Sequence, residues 1–123
     1  MRYMLLIYDD EKNRIGLPEA ELNKLRSDYG KLIEELKASG TYVAGAALQG
    51  ISTATTVRVR EGKRLVTDGP FAETREQLGG YFVIEAKNLD EAASIAARVP
   101  SIRTGTIEVR PVLEMALPAG ARL

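Results

Sequence analysis

Carboxylates, arginines and tyrosines are the side chains through which this chain could do chemistry, because it contains neither histidine nor cysteine. That absence removes the thiolate nucleophile, the commonest general base near neutral pH, and any zinc, copper or haem site. Carboxylates alone would favour Mg²⁺ or Ca²⁺, and no stretch has calcium-loop spacing, so no metal and no cofactor are expected. Asp68, Glu73 and Glu76 gather several carboxylates on one loop, which makes Asp68 and Glu73 the expected general-base residues beside a crevice. Arg58, Arg60, Glu108 and Arg110, with the hydroxyls of Tyr8 and Tyr81, are the expected ligand-binding set, since a guanidinium held beside phenols orients a carboxylate or enolate.

Each group also has a plain structural reading. Arg58, Arg60, Glu108 and Arg110 sit in alternating runs and could form ordinary cross-strand charge pairs. Asp68, Gly69 and Pro70 make a turn in which the Asp side chain bonds nearby amides, Gly takes positive φ and Pro fixes the exit, with Phe71 anchoring the loop in the core. Gly79 and Gly80 precede a strand and not a helix N-terminus, so they make no phosphate loop.

The elements that must position these residues are legible from periodicity. Residues 3–8 are apolar on both alternating faces and stop at Asp9 and Asp10, which reads as a central strand. Leu22, Leu25, Tyr29, Leu32, Ile33 and Leu36 form one helical stripe over 18–39, with Pro18 at its start, Glu19 and Glu21 near the positive pole and Gly40 at the C′ position. Strands follow at 42–44 and 55–60, the latter returning through Glu61, Gly62 and Lys63 into a hairpin partner at 64–67. A strand at 81–86 leads to Asn88, which opens a short helix ending at Pro100, and Ile107, Val109 and Leu113 share one side of a last strand.

That order predicts an α+β fold: a ferredoxin-like βαββαβ antiparallel sheet with two helices on one face and an extra hairpin before the 68–76 loop. Parity assigns Val57, Val59, Ile107 and Val109 to the helix-covered side. Arg2, Met4, Leu6, Tyr8, Arg58, Arg60, Glu108 and Arg110 then fall on the other side. A second face with Met4, Leu6 and Tyr8 at its centre is an apolar patch, so a homodimer packed sheet to sheet is expected, with a polar crevice between protomers.

Composition sets the outer bounds. The 123 residues suit one domain, expected over 1–115 with a tail at 116–123, and 45% hydrophobic residues supply its core. Seventeen basic and seventeen acidic residues cancel, which disfavours nucleic acid and anionic membranes as partners. No run approaches membrane-spanning length, the N-terminus has no signal-peptide pattern, and the lack of cysteine suits a reducing compartment, so a cytoplasmic protein is expected.

The run from Val66 to Tyr81, VTDGPFAETREQLGGY, resembles the signature of the DGPF branch of the YCII-related family. Residues 2–8, 52–60 and 105–112 extend that resemblance over nearly the whole chain. It implies a ferredoxin-like fold dimerising into an α+β barrel, similar to that of muconolactone isomerases and cofactor-free oxygenases. In the wider family a histidine–aspartate pair suggests enzymatic function, and a chain without histidine cannot use that pair. Members are often found beside or fused to extracytoplasmic-function sigma factors, which implies a regulatory setting. The expected function is therefore a small-molecule-binding or regulatory module, taking a small acidic ligand or a regulatory protein partner. The alternative is a cofactor-independent isomerase, lyase or oxygenase acting on a small acidic substrate.

Overall fold

The computed structural model describes residues 1–114; the expected tail at 116–123 lies outside the described residues. Four strands, β1 (Arg2–Asp9), β2 (Tyr42–Ala47), β5 (Gln77–Glu85) and β6 (Thr106–Pro111), form one antiparallel sheet in the order β2-β5-β1-β6. Strands β3 (Thr55–Arg60) and β4 (Lys63–Asp68) pair only with each other. With α1 (Glu19–Ala38) after β1 and α2 (Leu89–Ala96) after β5, the chain has the ferredoxin-like topology, interrupted by one hairpin.

Alternation in β1 decides which face the helices cover. Tyr3, Leu5 and Ile7 are buried, whereas Met4, Leu6 and Tyr8 are only half-buried. Leu5 lies opposite Phe82 on β5 and Val109 on β6, so one row crosses three strands beneath the helices. Leu32 and Leu36 of α1 and Ala92, Ile95, Ala96 and Val99 in and after α2 close over this row, and Leu5, Leu36, Ile84 and Val99 are fully enclosed. The stripe read from the sequence is thus the buried face of α1.

Both helix ends follow from local chemistry. Gly40 has φ +72°, which lets Thr41 N–H reach the Leu36 carbonyl at 2.8 Å and Gly40 N–H reach that of Lys37 at 3.1 Å, satisfying carbonyls the last turn would leave open. The Asn88 side chain accepts from Glu91 N–H at 2.9 Å and starts α2.

Four expectations change. Val57 and Val59 do not lie under the helices: the hairpin is a separate two-stranded sheet, and Val59 is 60% exposed. Alternation gave the right strand but could not say against which surface it lies. Arg58 and Arg60 therefore share no face with Glu108 and Arg110. Phe71 is 78% exposed and is no core anchor, while the turn at Gly69 (φ +96°) is held by Gly69 N–H to the Ala54 carbonyl and by Thr56 Oγ1 to the Gly69 carbonyl. Backbone and threonine, and not the Asp68 carboxylate, make those bonds among the described residues.

Candidate functional site

On the helix side of the sheet, where α1 leaves β2 and the near end of β5 uncovered, lies a cleft of about 610 Å³. Its floor is apolar: Ile7, Ile33, Phe82 and the Tyr42 ring, with Gly45 and Gly80 keeping the strands bare. Close approach demands those glycines. A Cβ on Gly80 would meet the Ala46 carbonyl oxygen at 2.9 Å, and one on Gly45 would meet the Phe82 ring at 2.6 Å. The Tyr42 and Tyr29 rings flank Phe82 at centroid separations of 6.1 and 6.3 Å.

The mouth is polar, and the segment following β1 supplies most of it. Asp9, Asp10, Glu11 and Arg14 stand on the exit from β1 and the short 3₁₀ turn Glu11–Asn13. The carboxylates serve the chain itself. Asp9 accepts from Asn13 Nδ2 and Thr104 Oγ1, both at 2.8 Å, and Asp10 caps the turn by accepting from Lys12 N–H at 3.0 Å. Glu11 accepts from Ile51 N–H at 3.0 Å, and Gln77 accepts from Glu11 N–H at 3.0 Å while donating to the Thr74 carbonyl at 2.8 Å. These bonds tie β1, the segment before β3 and the loop before β5 into one rim.

At the inner end, Tyr29 and Ser101 share a hydroxyl–hydroxyl hydrogen bond of 2.5 Å. Burial pushes the Tyr29 phenol up from its ordinary value of 10.0, opposed by its bonds to Ser101 and by the charge of Arg14, and reinforced by that of Asp9. The phenol is therefore protonated near neutral pH and serves as a hydrogen-bonding group, not a base. Because the folded form holds the proton more tightly than the unfolded chain, its contribution to stability is complete below about pH 10. It is lost as pH rises through the raised folded value. We expect wild type to lose stability above pH 10 more steeply than Tyr29→Phe, measured by urea denaturation across pH 8 to 11; parallel slopes would refute it.

The residues singled out by sequence fall in two regions, the open face and the hairpin with its following loop. Tyr81 borders the cleft through its place in β5, but it lies opposite Leu6 and alternates with buried Phe82, so its side chain belongs to the open face. Tyr8, Glu108 and Arg110 lie on the open face, where Arg110 holds Glu108 at 2.7 Å. That pair raises the Arg110 pKa, with a smaller contribution from Tyr8. Arg58 and Arg60 stand on the hairpin, Asp68 at its exit and Glu73 in the following loop, and none of the four lines the cleft. Asp9, Arg14, Tyr29 and Ser101 were not singled out. Asp9 reads as a strand stop and Tyr29 as part of an apolar stripe; the signals in the sequence are a phenol among aliphatics and the glycines at 45, 79 and 80, expected outside the strands and placed by the structure inside β2 and β5.

The YCII-related domain model matches residues 1–116. The chain belongs to the YCII-related family. An uncharacterised protein of Rhizobium meliloti (strain 1021) is 34% identical over 114 residues, spanning 91% of this chain and 92% of that protein. Among solved structures, the fold is similar to the 5-chloro-2-hydroxyhydroquinone dehydrochlorinase TftG of Burkholderia phenoliruptrix AC1100, in complex with 2,5-dihydroxybenzoquinone. That likeness has a TM-score of 0.55 at 16% identity and covers 94% of this chain and 96% of the other. At that identity it speaks to the fold. No helix among the described residues is long and apolar enough to cross a membrane.

Proposed function

We propose that this YCII-related domain binds a small organic molecule in the cleft between α1 and the β2–β5 end of the sheet. The observation that carries the reading is the cleft itself, about 610 Å³ with an aromatic floor and a hydrogen-bonded polar rim. A volume of that order is typical of small-molecule sites. The dehydrochlorinase of similar fold is in complex with a small ring compound, which agrees with such a use. Ala47 lies exposed in the lining, so Ala47→Trp should obstruct the cleft without disturbing the core. Small ring compounds that raise the melting temperature of wild type are expected to have no effect on Ala47→Trp. Undiminished shifts in that variant would move the site elsewhere.

The domain works, in this reading, as a homodimer. The open face carries Met4, Leu6, Tyr8 and Val83, and the free-standing hairpin exposes Val57, Val59 and Val66 on one side. A two-stranded hairpin alone is marginal in water, so both surfaces call for a second copy. Light scattering is expected to give twice the chain mass for wild type and a monomer for Leu6→Glu; a monomeric wild type rejects the pairing. A cofactor-independent enzyme is the second reading, favoured by the chemistry of the similar fold and by the carboxylates of Asp9, Asp10 and Glu11, which line the cleft where Asp68 and Glu73 do not.

A further inference from the structure

The hydrogen-bonding groups of the cleft are unequally committed. Its carboxylates are engaged: Asp9 by Asn13 and Thr104, Asp10 by Lys12 N–H, Glu11 by Ile51 N–H. Its donors are not. Arg14 has no ion pair or side-chain hydrogen bond among the described residues, and a guanidinium offers five N–H groups in a fixed fork. The Tyr29 and Ser101 hydroxyls own two protons and share one hydrogen bond, which leaves one O–H to give. Ser52 adds another hydroxyl to the lining with no partner among the described residues.

Arg14, Tyr29 and Ser101 line the same cleft, and the charge of Arg14 works against the rise in the Tyr29 pKa that burial causes. The same cleft is lined by the apolar groups of Phe82 and Tyr42 on the sheet and Ile33 on α1. A ligand that satisfies this arrangement has a flat apolar body and an acceptor-rich, anionic end.

Resting on the cleft reading above, we propose that the ligand is a planar ring or conjugated monoanion, a carboxylate or enolate, held by Arg14 and met by the Tyr29–Ser101 hydroxyl pair. Asp9, Asp10 and Glu11 bring more negative charge to the rim than Arg14 brings positive, so an aromatic amine is the sharpest competitor. Directed donors decide against that charge sum, because each of the three carboxylates already accepts from a chain donor, whereas the Arg14 guanidinium has no partner among the described residues.

The test uses three single-ring probes of similar size and different charge, benzoate, benzamide and benzylamine, titrated by ligand-observed NMR into wild type, Arg14→Gln, Arg14→Lys and Ala47→Trp. Benzoate is expected to bind wild type most tightly, to weaken roughly ten- to a hundredfold in Arg14→Gln, and to fall in between for Arg14→Lys, which keeps the charge and loses the fork. Benzamide should be nearly indifferent to Arg14→Gln, which also shows that the variant keeps its cleft. Benzylamine binding more tightly than benzoate, or benzoate unaffected by Arg14→Gln, overturns the proposal while leaving the cleft reading intact, provided Ala47→Trp abolishes the binding seen. No probe binding at all overturns both.

Discussion

Gly105→Ala should lower the stability of the domain by about 3 kcal/mol or more, roughly 10 °C or more in melting temperature for a chain of this size. Gly105 joins the 3₁₀ turn Pro100–Arg103 to β6, and its N–H donates to the Ser101 carbonyl at 2.8 Å. A Cβ there would stand 2.1 Å from the Tyr8 carbonyl oxygen and 3.0 Å from Asp9 Cβ. Neither is the loose end of a flexible side chain, so the relief must come from parting the end of β1 from the start of β6. That separation breaks the Thr104 to Asp9 hydrogen bond and shifts the rim of the cleft along with it.

Gly30→Ala is the opposing control. Gly30 lies inside α1 with ordinary helical φ, and a Cβ added there would meet nothing within 4 Å outside its own helix, so alanine should stabilise by about 0.5–1 kcal/mol. Chemical denaturation of both variants reads the two signs in one experiment. A Gly105→Ala protein within about 1 kcal/mol of wild type would mean that the β1–β6 end yields freely, a smaller overpacking cost than a rigid backbone permits.

How far the sequence reached follows the physics of each signal. Periodicity reports burial on the element itself, and it placed α1, the β1 alternation and the separation of Met4, Leu6 and Tyr8 from the core. It carries no information on what an element packs against. The Thr-Thr-Val-Arg-Val-Arg alternation of β3 therefore suggested a place under the helices, although the strand pairs only with β4. The tip was legible to within one residue: the turn is Glu61 and Gly62, both with positive φ as a two-residue hairpin requires, and Lys63, expected in the turn, already begins β4 opposite Arg60.

The site was less legible because it is assembled from segments far apart in the chain. Asp9 and Thr104 are 95 positions apart and Tyr29 and Ser101 are 72, and no local pattern couples them. Side chains grouped by type on one loop, Asp68 and Glu73, are the stronger signal in the sequence, and the fold places them off the cleft. Glycine was the informative residue. At 45 and 80 it marks where a strand must leave room, and both positions turn out to be floor.

That floor supports the other large prediction. Phe82 is buried between Tyr29 and Tyr42, and Phe82→Ala should cost about 3–5 kcal/mol, combining lost burial with a cavity that the neighbouring strands cannot close. Gly45→Ala should cost about 1–3 kcal/mol for the opposite reason, because its Cβ would lie 2.6 Å from Phe82 Cδ1 and 3.0 Å from the Tyr42 hydroxyl. The two faults relieve each other: with the Phe82 ring gone, the methyl at 45 enters space that is otherwise empty. Denaturation of both single variants and the double variant should give a total cost smaller than the sum by about 1 kcal/mol or more, the coupling expected of residues in direct contact. Strict additivity would mean that Gly45 is kept for the cleft alone. A rescue would show that the same ring-to-backbone contact holds the sheet and shapes the floor, so the size of the cleft cannot be changed at this point without a change in stability.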